Sequence, residues 1–163
     1  MKKPKKTDLP HIIMTLAAWL LFIGCLIRFL AAYGSLDDEI GVHFAGNGSF
    51  DVIDKKIFGL YPFVVSSVSL LIGLVLRLLV KKVDVGKNVT EKGDMLMRFA
   101  LTLYIDFSQL VMVVFFAGVW SGCVIAQHPL DTDIPVACLF AVFGIFPVMV
   151  LFLIVTKRLC RVK

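Results

Sequence analysis

Charge is what this chain has least of. Only 18% of its 163 residues are Asp, Glu, Lys or Arg, against 59% hydrophobic and a mean hydropathy of +0.91. One soluble core of that length cannot hide so much apolar surface, so a water-soluble domain is excluded. The four cysteines, Cys25, Cys123, Cys138 and Cys160, show no C-x-x-C spacing and no local histidine, which leaves a structural zinc site unsupported. No internal repeat or low-complexity tract divides the chain, so residues 1–163 read as a single integral membrane domain. H-E-x-x-H, G-x-S-x-G and paired intramembrane aspartates are all missing, so no nucleophile has a base beside it. The expectation is a protein that is not an enzyme, with no catalytic residues, no cofactor and no metal.

What the chain does have is four apolar runs, at residues 12–33, 57–80, 99–126 and 135–156. Each meets or exceeds the roughly 20 residues a helix needs to cross a bilayer. The fold class expected is all-α, a polytopic four-transmembrane-helix bundle in contact with lipid. The basic start and apolar first run resemble a signal peptide, with a weak lipoprotein-like box at Phe22-Ile23-Gly24-Cys25, but the run continues past the usual h-region of about 7–15 residues and is expected to be retained as a helix.

The net charge of +5 is explained by where the basic residues lie. Lys2, Lys3, Lys5, Lys6, then Lys81, Lys82, Lys87, Lys92, Arg98, then Lys157, Arg158, Arg161 and Lys163 flank one side of the spans, thirteen in all. Only Lys55 and Lys56 lie in the other two connections. By the positive-inside rule both termini and the 81–98 loop are cytoplasmic, and the 34–56 loop and the turn at His128 lie outside the cell membrane. No helix-turn-helix pattern or aromatic-interleaved basic stripe accompanies this charge, so nucleic acid is not an expected partner.

Small residues mark close helix approaches: Gly118 and Gly122 in span three, Ser69 and Gly73 in span two, Ala137, Ala141 and Gly144 in span four. These faces are expected to join helices within the bundle, a homo-oligomer interface being the competing reading. Pro62 and Pro135 fall where a helix tolerates proline, whereas Pro147 sits well inside span four and is expected to kink it. Cys123 and Cys138 lie at similar depth, which allows a disulfide, but apolar thiols are the simpler reading.

An intramembrane charge costs about 2.5–3.5 kcal/mol at a helix centre, so each must find a partner or an escape. Arg28 and Arg77 can snorkel. Asp106, about two turns into span three, cannot. The antiparallel second span brings Arg77 near its depth, and Arg77 with Tyr104, Ser108 or Gln109 is expected to satisfy the carboxylate. Two readings stay open, a structural ion pair and an ion or proton relay.

The 34–56 segment is the richest in polar and turn residues. Gly46-Asn47-Gly48 is a turn signal. His43 with Asp37, Asp38, Glu39, Asp51 and Asp54 offers ligands for a divalent cation, though without the spacing of a calcium loop. Asn47-Gly48-Ser49 is a glycosylation sequon that is idle in a bacterium.

Leu36, Ile40, His43, Phe44, Gly48, Asp51, Lys56 and Pro62 together resemble the outer-loop motif of the bacterial family called domain of unknown function 1648, L-P-x-x-I-P-x-H-F-x-x-x-G-x-P-D, then lysine and proline. The family's three loop prolines are replaced by Asp37, Gly41 and Phe50. The resemblance spans roughly residues 16–80. It implies His43 and Phe44 as the loop's signature, Gly48 as its turn, and Asp51 and Lys56 as polar anchors. That domain is similar to the N-terminal part of Sdp-type immunity proteins, non-catalytic membrane proteins that protect against a secreted toxic peptide and signal to a cytoplasmic repressor. The implied task is immunity or sensing of an extracellular peptide or envelope stress, with an extracellular peptide or a cytoplasmic regulator as partner. The alternative is a small transporter or a transporter's membrane accessory subunit. His43 is expected to hydrogen-bond Asp51 while Phe44 inserts at the interface, so that the loop is a lid, a recognition surface, or both.

Overall fold

A computed structural model describes residues 9–82, 88–131 and 133–161. Lys2, Lys3, Lys5, Lys6, Lys87 and Lys163, which enter the charge argument, lie outside these residues. The elements in chain order are α1 (Leu9–Ala32), β1 (Glu39–Phe44), β2 (Phe50–Lys55), α2 (Tyr61–Lys82), α3 (Glu91–Val113), a π-helical segment (Val114–Trp120), α4 (Ser121–Ala126) and α5 (Asp133–Leu159). Among the described residues four helical runs are long and apolar enough to cross a membrane, and the chain is a multi-pass, all-α bundle in contact with lipid.

The third run is the organising one. From Glu91 through the π segment to Ala126 it holds 36 residues. At about 1.5 Å per residue that is roughly 50 Å, well beyond a hydrocarbon core of about 30 Å. It begins at Glu91 rather than Phe99, because local chemistry favours an earlier start. Thr90 caps it by accepting from the Gly93 amide at 3.3 Å, Glu91 and Asp94 suit the positive end of the helix dipole, and Arg98 binds Asp94 one turn back at 2.7 Å. Half of the expected 81–98 loop is therefore helix. α1, α2 and α5 all pack on α3, whereas α1 and α2 barely touch one another.

The core sits toward the hairpin end. Phe22, Phe29, Phe63, Val113, Ala117 and Val124 are buried together with Ile40 and Val42 of β1. At the opposite end the chain closes by a short link, the Thr90 amide donating to the Cys160 carbonyl at 2.7 Å beside a Val89–Arg161 bridge.

Of the glycines in the small-residue pairs, Gly73 marks a tight approach and Gly122 an ordinary contact, a methyl there lying 3.9 Å from the Arg28 guanidinium of α1. A methyl on Gly73 would lie 1.9 Å from the Gln109 amide, so α2 and α3 meet there, but methyls on Gly118 and Gly144 would touch nothing within 4 Å. Gly118 falls in the π segment, with open space where a side chain would stand. Pro147 lies inside α5, which continues from Asp133 to Leu159. All four cysteines are free thiols.

Candidate functional site

Two polar constructions stand out, one at each end of the bundle. The first is centred on Asp106, 1% exposed. Its Oδ1 lies 2.6 Å from Arg77 Nη2, a close charge contact not aligned as a hydrogen bond. Its Oδ2 lies 2.8 Å from His11 Nδ1. An ionised carboxylate only accepts, so Nδ1 carries the hydrogen and donates. Arg77 also donates to Gln109 Oε1, and the Gln109 amide nitrogen donates to the carbonyls of Ser69 and Leu70 at 3.0 and 2.9 Å. The cluster thus ties α1, α2 and α3 at one depth.

Arg77, Asp106 and Gln109 meet as the antiparallel arrangement of spans predicts, and His11 is the member that span-finding misses. The apolar run opens at Ile12, but α1 begins at Leu9. His11 lies one heptad before Ala18 on the stripe that continues through Phe22 and Phe29, and that periodicity was the available signal. Tyr104 is not in the cluster. Its hydroxyl donates to the Val142 carbonyl on α5 at 3.2 Å, and the buried Ser108 Oγ has no partner among the described residues. A cleft of about 940 Å³ between α1, α2 and α3 opens at this end and reaches His11 and Arg77.

The second construction replaces the expected loop. Residues 39–55 form an antiparallel hairpin whose register slips between Gly41 and His43 and again between His43 and Phe44, leaving Val42 and Asp51 without cross-strand partners. Its turn closes by Ala45 donating to Ser49 at 2.8 Å and Gly48 to Ala45 at 2.9 Å, with Gly48 at φ 82°. The Gly48 carbonyl accepts from the Leu130 amide at 2.8 Å, fastening the tip to the second connection at that end.

The outer edge of β1 is held by side chains. Gln127, which ends α4 at a left-handed φ of 51°, accepts from the Gly41 amide at 2.9 Å and donates to the Gly41 carbonyl at 3.3 Å. Its amide acts as a fragment of a third strand. Trp120 Nε1 donates to the Val42 carbonyl at 3.0 Å. In the π segment Phe116 and Trp120 fall one turn apart and stack at 5.3 Å, while Phe44 stacks on Phe50 at 4.4 Å and meets Trp120 edge-on at 5.5 Å.

The motif residues divide accordingly. Leu36, Ile40, Phe44, Gly48 and Pro62 are packed or buried. His43 packs on the Tyr61 ring at 5.5 Å, and no His43–Asp51 hydrogen bond exists among the described residues. Asp51 is exposed at a register slip. Lys56 Nζ sits 3.1 Å from Asp38 and 5.3 Å from the centre of the Tyr33 ring. The Asp38 side chain is 97% exposed, so that ion pair adds little stability. The hairpin acids and His43 are not gathered, and among the described residues no three His, Cys, Asp or Glu side chains are placed to hold a metal ion.

Gly41 and Phe50 belong together. A methyl on Gly41 would lie 2.3 Å from the Phe50 ring, so glycine at one position makes room for the aromatic at the other. Proline at Gly41 would also lack the N–H that Gln127 binds. No family model matches the chain, and no curated protein or solved structure matches it significantly.

Proposed function

We propose that the chain is a non-catalytic membrane protein of the immunity or sensing kind, whose hairpin engages an extracellular peptide. Both termini are cytoplasmic in this reading, on the strength of the thirteen-to-two bias of basic residues. The motif residues in the hairpin support the kinship with Sdp-type immunity proteins. The observation that carries the reading is the asymmetry of the hairpin. One edge is clamped by Gln127 and Trp120, whereas β2 has no backbone partner on its other edge among the described residues and exposes Val52 and Ile53, the latter at 71%. An open strand on a rigid support is a template for an extended peptide. Sensitive cells expressing the chain should survive the peptide fraction secreted by its native cells, and Ile53→Lys should abolish survival at unchanged membrane levels. Equal killing with and without the chain, or full protection by the variant, overturns the proposal.

The alternative, a small transporter or its accessory subunit, draws on the His11–Asp106–Arg77 cluster at the foot of a cleft. Proton flux into proteoliposomes under an imposed gradient, lost in Asp106→Asn, would favour it. A tight vesicle would count against it.

A further inference from the structure

We propose that the cleft between α1, α2 and α3 is a binding site for the headgroup of an anionic phospholipid. Because α1 and α2 lean on α3 and scarcely meet, the gap between them is lined along the span by the exposed Ile12 and Leu16 as well as by charged residues at the end of the bundle. Its walls are mixed in the way an amphiphile requires. Ile12, Leu16, Val80 and Phe99 supply apolar surface along the spans, and Arg77, Lys81, Lys92 and Arg98 supply cations toward the helix ends.

Charge complementarity selects the headgroup. Two of the cations are spoken for: Arg98 by Asp94 and the Val80 carbonyl, Arg77 by Asp106 and Gln109. Among the described residues lining the cleft, that leaves the exposed Lys81 and Lys92 against Glu91, a positive excess where a phosphodiester would lie. Arg77 Nε is buried with no acceptor among the described residues, an unmet donor at the inner end of the same cleft. Basic pockets between spanning helices recognise anionic headgroups by this combination. The volume of about 940 Å³ accommodates a glycerophosphate headgroup with the first carbons of its chains. This inference stands apart from the peptide reading and survives its failure.

The test uses the purified full chain in a zwitterionic detergent, with dihexanoyl phosphatidylglycerol, dihexanoyl phosphatidylcholine and inorganic phosphate as probes, read by native mass spectrometry and thermal shift. Phosphatidylglycerol should bind about tenfold tighter than phosphatidylcholine, and inorganic phosphate should produce no shift. The variant K81Q/K92Q, changed only at exposed positions, should bring phosphatidylglycerol down to the affinity of phosphatidylcholine. Leu16→Trp, which fills the cleft from an exposed wall position, should weaken both lipids while the unliganded melting temperature holds. Equal binding of the two lipids, full phosphatidylglycerol affinity in K81Q/K92Q, or phosphate binding as tight as the lipid, which would mark a free-anion site, each overturns the proposal.

Discussion

Asp106 shows how one residue can commit three helices. Its carboxylate is out of water entirely, and its cost is met by Arg77 from α2 and His11 from α1. Breaking a buried pair by removing one partner leaves the other charge uncompensated, at about 3–5 kcal/mol. Asp106→Ala should therefore lower the melting temperature in detergent far more than His11→Ala does, since a histidine can leave the cluster neutral. Comparable losses for the two would show that Arg77 finds another counter-charge. The Arg77–Asp106 pairing was legible in the sequence, because depth can be counted along two antiparallel spans. His11 was not, because a window that seeks apolar residues ends where a polar one begins. At the other end, Gln127→Ala should leave the Gly41 amide without a partner, costing about 1–3 kcal/mol. Faster hydrogen exchange at that amide, with α1 and α2 unaffected, is the expected result.

The hairpin and the π segment form one unit at the scale of elements. The π geometry brings Phe116 and Trp120 onto one face, and Trp120 then reaches both the Phe44 ring and the Val42 carbonyl. The β1 edge is thereby held by side chains, Trp120 of the π segment and Gln127 at the end of α4. Gly41→Ala should displace the Phe50 ring and loosen the sheet, seen as increased proteolysis between residues 44 and 50 with the helices intact. The double variant Gly41→Ala with Phe50→Ala should recover protection, because the clash is removed. The strand pattern was partly visible: Ile40, Val42 and Phe44 alternate as a half-buried strand should. It was obscured in β2, where Val52 and Ile53 follow one another in the sequence and break the period of two. No short-range signal predicts that a glutamine far along the chain supplies the missing edge.

At the scale of the whole molecule, the number of spans follows from the apolar runs along the chain, whereas their arrangement does not. Equal hydropathy in four runs says nothing about which one the other three will choose as support. The proposed orientation has a direct check: a cysteine at Ser49 should react with an impermeant thiol reagent on intact cells, and Cys160 should not. Labelling of Cys160 instead would invert the molecule.

The two ends of the bundle differ in how they are closed. The packed layer of Phe29, Phe63, Val113 and Val124, with the hairpin fastened over it, seals one end, while the cleft leaves the other open as far as His11 and Arg77. In this conformation the molecule is a cup and not a tube. Water isotopes should therefore reach the Asp106 neighbourhood through the cleft and not through the hairpin end.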